Sequence, residues 1–191
     1  MLRLETGANL SSSIVSRTVP LLYCFVPGNN HMTSSFTVAN QSFADYYQMI
    51  RNKVHELVAP LSEEQIWHRP YAYGNSIGNL LLHLTGNLSY YIGARVAQDG
   101  YVRHRDLEFT DKGKSKEELL RNFDATIDMV IATVQEQSAD DWSAAYSAER
   151  EPESTNRFSA FLRCAGHAYH HVGQIIYLQK ELLRAESSSA A

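Results

Sequence analysis

From residue 40 onward, apolar residues recur every three or four positions in four separate stretches, and no stretch sustains an alternation of period two. That spacing predicts an all-α chain. The first stretch sets Phe43, Tyr46, Tyr47, Ile50, Val54, Leu57 and Val58 on one face of a helix over residues 41–59, which Pro60 ends. The second carries Ile77, Leu80, Leu81, Leu84, Leu88, Tyr91 and Ile92 on a helix over 77–97, capped by Ser76 and weakened at Asp99-Gly100. The third opens at Ser115, three residues before Glu118 as in a capping box, and runs through Leu119, Leu120, Phe123, Ile127, Val130, Ile131 and Val134 to about Gln137. The last covers 157–184, with Phe158, Phe161, Leu162, Ala165, Tyr169, Val172, Ile176 and Leu183 in its stripe.

Four helices of such length can enclose one elongated core, and no internal repeat points to a solenoid instead, so the predicted architecture is a four-helix bundle. Its connections are longer than the two to eight residues usual between bundle helices, which leaves room for a crossover and for loops covering one end. The segment after Pro60 holds a cap signal, Ser62 before two Glu residues, and is expected to form a short helical turn. The bundle domain is expected to span 40–185, between a poorly ordered extension over 1–39 and a frayed tail over 186–191. Met32 opens a stretch that reads like a natural start. The apolar octet Val19–Val26 is the nearest thing to a signal peptide, but "PGNNHM" rather than a small-residue cleavage pattern follows it.

Composition narrows the function classes. The chain has 191 residues, 44% hydrophobic and 20% charged, enough for one ordinary soluble domain. A net charge of -4 with no run of Lys or Arg argues against nucleic acid or an anionic membrane as partner. No apolar run is long enough to cross a bilayer. Two cysteines, Cys24 and Cys164, supply neither a disulfide framework nor a Cys-based zinc site, which fits a reducing cytoplasm. A small-molecule substrate and a homodimer are the expected partners.

The candidate chemistry lies in histidines. His167 and His171 are four apart in "CAGHAYHHVGQIIYL", which places both imidazoles on one helix face a turn from each other, a spacing that can grip one metal ion. His170 is also within a turn of His167, so spacing alone leaves the pair open. On the helical wheel His170 falls among Arg163, Gln174, Tyr177 and Glu181, a polar sector, whereas His171 falls beside Cys164, Ile175, Leu178 and Leu182. His83 occupies a flank of the second helix near Ser76 and Asn87, from which it could complete a three-His set with open positions. His31, His55, His68 and His104 have no such placement. Tyr90, Tyr91, Tyr169 and Tyr177 read as core or rim aromatics, Cys164 as a small buried apolar residue, and Trp67 and Trp142 as loop anchors.

The segment "SIGNLLLHLTGNLSYYIGARV", followed far downstream by "FLRCAGHAYHHVGQIIYLQKEL", resembles the DinB/YfiT-like metalloenzyme superfamily over residues 40–184. The resemblance implies a four-helix bundle with a long link between its second and third helices. It also implies a divalent ion, zinc or nickel, held by His83, His167 and His171, with Gln174 as a supporting residue. Members with known activity are mostly thiol-dependent transferases or hydrolases that use low-molecular-weight thiols. The expected function is therefore metal activation of a thiol or water, with His170, Tyr90 and Asn87 as further pocket candidates and no general base identifiable. The alternative is a non-catalytic bundle in which the ion serves stability or dimerisation. Regulation through DNA contact, suggested by the family name, conflicts with the acidic balance.

Overall fold

The computed structural model describes residues 30–189. Four long rods carry the fold. They are α1 (Asn30–Val58), α3 (Ile77–Leu88) continued by a π-helical segment (Ser89–Ala97), α5 (Lys116–Gln135) and α7 (Arg157–Ser189). Short helices α2 (Glu63–Trp67), α4 (Leu107–Thr110) and α6 (Ala139–Ser143) lie in the connections. Among the described residues there is no strand, only an isolated bridge between Ala145 and Asn156.

The rods α1 and α3 each pack against α5 and α7, so one core runs down the bundle. Tyr47, Ile50 and Val54 of α1 meet Leu80, Leu84 and Leu88 of α3, Phe123, Ile127 and Val130 of α5, and Phe161, Ala168 and Val172 of α7. Burying a branched or aromatic side chain of this kind contributes about 1.5–3 kcal/mol. Serine hydroxyls accept from backbone N–H groups in the first turns of α2, α3, α5 and α6, at Ser62, Ser76, Ser115 and Ser138. Trp142 donates to Asn40 Oδ1 and stacks against Phe43, while Trp67 donates to the Lys114 carbonyl. Both tryptophans thus fasten connections to the bundle.

Several boundaries differ from the sequence expectation. The first helix begins at Asn30 rather than near residue 41, because nothing between them, neither Pro nor Gly, stops a helix once the apolar stripe nucleates it. The part of the expected extension over residues 1–29, with Cys24 and the octet Val19–Val26, lies outside the described residues. The last helix continues to Ser189, past the expected end at 184 and into the expected tail. Its stripe is also rotated. Phe158, Leu162 and Tyr169 are exposed, and the buried line runs through Phe161, Cys164, Ala165, Ala168, Val172, Ile175, Leu178 and Leu182. The small residues on that line, Cys164, Ala165 and Ala168, weigh little in a hydrophobicity pattern. The second rod is not α-helical throughout, since its last turns widen into π geometry before Gln98, at φ 58, ends it. Polar connections hid α4 and α6.

Candidate metal centre

The rod α3 contacts α2 and α4 as well as α5 and α7, so it is buried almost all round. His83, placed on a flank by the sequence, is therefore only 6% exposed. Across from it, α7 presents His167 and His171 one turn apart. The three rings gather with centroids 4.5–5.1 Å apart. His83 Nε2 lies 3.3 Å from His167 Nε2, and His171 Nε2 lies 3.1 Å from the same atom. One nitrogen from each of the three lies within 4.8 Å of the others.

Outer hydrogen bonds fix which nitrogen faces inward. His83 Nδ1–H donates to Glu108 Oε2 at 2.7 Å, and His171 Nδ1–H donates to Gln174 Oε1 at 2.7 Å. Both rings therefore turn an Nε2 lone pair toward His167. His167 Nε2 can donate one proton at most, so one of the two short contacts sets acceptor against acceptor unless a cation lies among them. Nitrogens bound about 2.0–2.1 Å from a tetrahedral ion sit about 3.3 Å apart, close to the two separations seen. The donor set and the two separations about His167 thus fit a divalent ion.

Glu108 reaches this centre from α4. Asn79 Nδ2 donates to the backbone carbonyls of Glu108 and Asp111, tying α4 to the start of α3. Its carboxylate then fits against the backbone of Gly86, where a Cβ would stand 2.2 Å from Oε1. Arg103 Nε donates to Oε1 at 2.6 Å and its Nη2 to Oε2 at 2.9 Å. Burial alone would raise the Glu108 carboxyl, but the hydrogen bonds from His83 and Arg103 and their charges hold it below the usual carboxylate range. It is an anion that orients one imidazole.

Burial, followed by the neighbouring imidazoles His171 and His83, pushes His167 down to about 3. Burial likewise pushes His171 down to about 4, with Gln174 opposing and His83 and His170 adding to the fall. Both rings are neutral and ready to ligate at neutral pH. The same shifts predict how the metal-free protein responds to acid. An unfolded imidazole takes its proton near 6.5, whereas the folded rings refuse it until about 4 and 3, so stability must fall as pH drops through that window. The urea midpoint of chelated protein is expected to decline steadily from pH 6.5 to 4, and a flat profile there would contradict the assignment.

The other sequence candidates fall elsewhere. His170 is exposed and its Nε2 accepts from Gln174, while Asn87 is buried one turn beyond His83. Tyr90 lines a neighbouring cleft, and Tyr177 is 79% exposed rather than in the core. Burial pushes the Cys164 thiol up to about 12, which keeps it inert. His55 pairs with Asp124 on the surface. The sequence missed Glu108, Arg103 and Gly86. The link that holds Glu108 also carries Tyr101, Val102, Leu107 and Phe109, and no spacing among them marks Glu108 as inward-facing.

Seven chains of solved structures match this fold. One is described as the crystal structure of the conserved protein of locus from Enterococcus faecalis. It is 13% identical, with a TM-score of 0.63, and the match covers 75% of this chain and 96% of that one. At that identity the likeness is one of fold. No curated protein matches the chain. A family described as a protein of unknown function, DUF1572, matches residues 33–190, a span that takes in the four rods from the first turn of α1 onward and all three clustered histidines, and the chain belongs to that family.

Proposed function

We propose that this protein is a metal-dependent enzyme of the DinB/YfiT-like kind, in which His83, His167 and His171 hold a zinc or nickel ion for thiol-dependent transfer or hydrolysis on a small molecule. The observation that carries the reading is the convergence of three imidazole nitrogens that no other His, Cys, Asp or Glu among the described residues joins. A set of three imidazole ligands is the kind that catalytic zinc sites use. A bound ion would supply Lewis acidity, making a thiolate or hydroxide available near neutral pH. The chain's own groups prepare the site. Glu108 and Gln174 hold two rings in the ligating tautomer, and Arg103 keeps Glu108 ionised.

The test is metal content by plasma mass spectrometry on untagged protein, beside thiol transfer to monochlorobimane. Wild type and His170→Ala are expected to carry near-stoichiometric metal, and His83→Ala, His167→Ala and His171→Ala to lose it. Wild type that stays metal-free after zinc or nickel reconstitution would sink the proposal. The contact between α3 and α7 at the histidines also favours a second reading, a purely stabilising ion. A large chelator-induced drop in melting temperature with no turnover would select it.

A further inference from the structure

A cleft of about 820 Å³ opens beside the π segment, between the link that follows it and the loop ahead of α7. Tyr90, Tyr91, Tyr101, Arg103, Arg105 and Arg150 line it. None of the clustered histidines does, yet two of its arginines lead to His83 through direct contacts. Arg103 donates to Glu108, which accepts from His83 Nδ1. Arg105 lies over the Phe109 ring, 5.0 Å from its centroid, and that ring lies 5.0 Å from the His83 ring. The cleft therefore adjoins the histidine centre along two separate chains of contact.

A second cleft, of about 540 Å³, lies toward the other end of the same pair of helices, lined by Leu80 of α3 and by His170, Gln174 and Tyr177 of α7. No Asp, Glu, Lys or Arg lines it. The charge is all on the first side. Arg103 is committed to Glu108, but Arg105 and Arg150 are exposed and neither has a carboxylate within ion-pair distance among the described residues. Arg150 is also held at φ 67, a conformation that side chains other than glycine and asparagine seldom adopt.

We propose that this cleft binds the carboxylate of the small molecule on which the histidine centre acts. Arg105 and Arg150 pair with the carboxylate, and the tyrosine rings flank the body of the molecule. Guanidinium groups match a carboxylate with paired N–H donors and stay charged at every physiological pH. Phosphate offers the same oxyanion chemistry, but Asp106 and Glu149 line the same cleft and repel a dianion more strongly than a monoanion. The inference rests on the metal-dependent reading above and names its substrate class.

The test titrates zinc-loaded protein by calorimetry with N-acetyl-L-cysteine, its neutral amide and N-acetyl-L-alanine. The acid is expected to bind about tenfold or more tightly than the amide, as the loss of a charge-assisted hydrogen bond implies. An Arg105→Gln/Arg150→Gln variant, with zinc content and circular dichroism unchanged, is expected to abolish that preference. Equal affinity for acid and amide in wild type overturns the subsite and leaves the thiol reading standing. N-acetyl-L-alanine binding that the double variant loses, without any thiol transfer, supports the subsite and sinks the thiol reading. Inorganic phosphate displacing N-acetyl-L-cysteine more strongly than acetate does overturns the carboxylate assignment.

Discussion

Glu108→Ala is expected to lower stability by about 3–5 kcal/mol and metal affinity by about 10- to 100-fold. The side chains of Arg103 and Glu108 are 9% and 6% exposed, so removing the carboxylate leaves a guanidinium among buried neighbours with its charge uncompensated. The same substitution strips His83 Nδ1–H of its acceptor, and the ring loses the hydrogen bond that turns Nε2 toward His167 and His171. Urea unfolding of chelated protein reads the first loss, and a competitive zinc titration reads the second. Glu108→Gln separates them. Its amide oxygen can still accept from His83 but cannot balance Arg103, so stability should fall nearly as far while metal affinity falls less. If Glu108→Ala costs under about 1 kcal/mol and leaves zinc affinity unchanged, the carboxylate does not organise the centre.

A second large effect is expected from a smaller change. Gly86→Ala adds one methyl group to the last turn of α3, inside the continuous second rod, where helix propensity alone would favour alanine by about 1 kcal/mol. The added Cβ would stand 2.2 Å from Glu108 Oε1 and 2.9 Å from its Cδ. A glutamate tip usually swings aside at little cost, but this one is buried and receives hydrogen bonds from Arg103 and His83. Moving it breaks those charge-assisted bonds, a cost of several kcal/mol that outweighs the propensity gain. Gly86→Ala is therefore expected to destabilise by about 2–4 kcal/mol and to weaken metal binding as Glu108→Ala does. The double-mutant cycle is the sharper measurement. With Glu108→Ala already made, the clash is gone and Gly86→Ala should become neutral or stabilising by up to about 1 kcal/mol. Additive losses would show that the two residues do not share one constraint.

Both predictions concern residues that periodicity cannot find. Leu80, Leu81, Leu84, Leu88 and Ile92 repeat at helical spacing, so the apolar face of the second rod was legible in the sequence and each of these residues is buried. The same holds for Phe123, Ile127, Val130 and Val134 on α5, and the cap at Ser115 marked where that helix starts. On α7 the pattern misled, because the buried line takes in Cys164, Ala168, Ile175 and Leu178 while Phe158, Leu162 and Tyr169 face outward. An apolar side chain needs only some neighbour, and hydrophobicity says nothing about which.

The histidines divide along the same line. A spacing of four is a property of local geometry, so the sequence by itself placed His167 and His171 on one helix face, and the polar sector of the helical wheel set His170 aside. It determined the all-α class, the four rods and the buried stripes of the first three for the same reason, since a helix repeats every 3.6 residues whatever surrounds it. Only the tertiary structure decided that His83 comes within 3.3 Å of His167, that Glu108 leaves a polar link to meet it, and that Gly86 makes room. Those contacts join residues 25 and 84 positions apart and depend on the packing of α3 against α4 and α7, which no local spacing encodes.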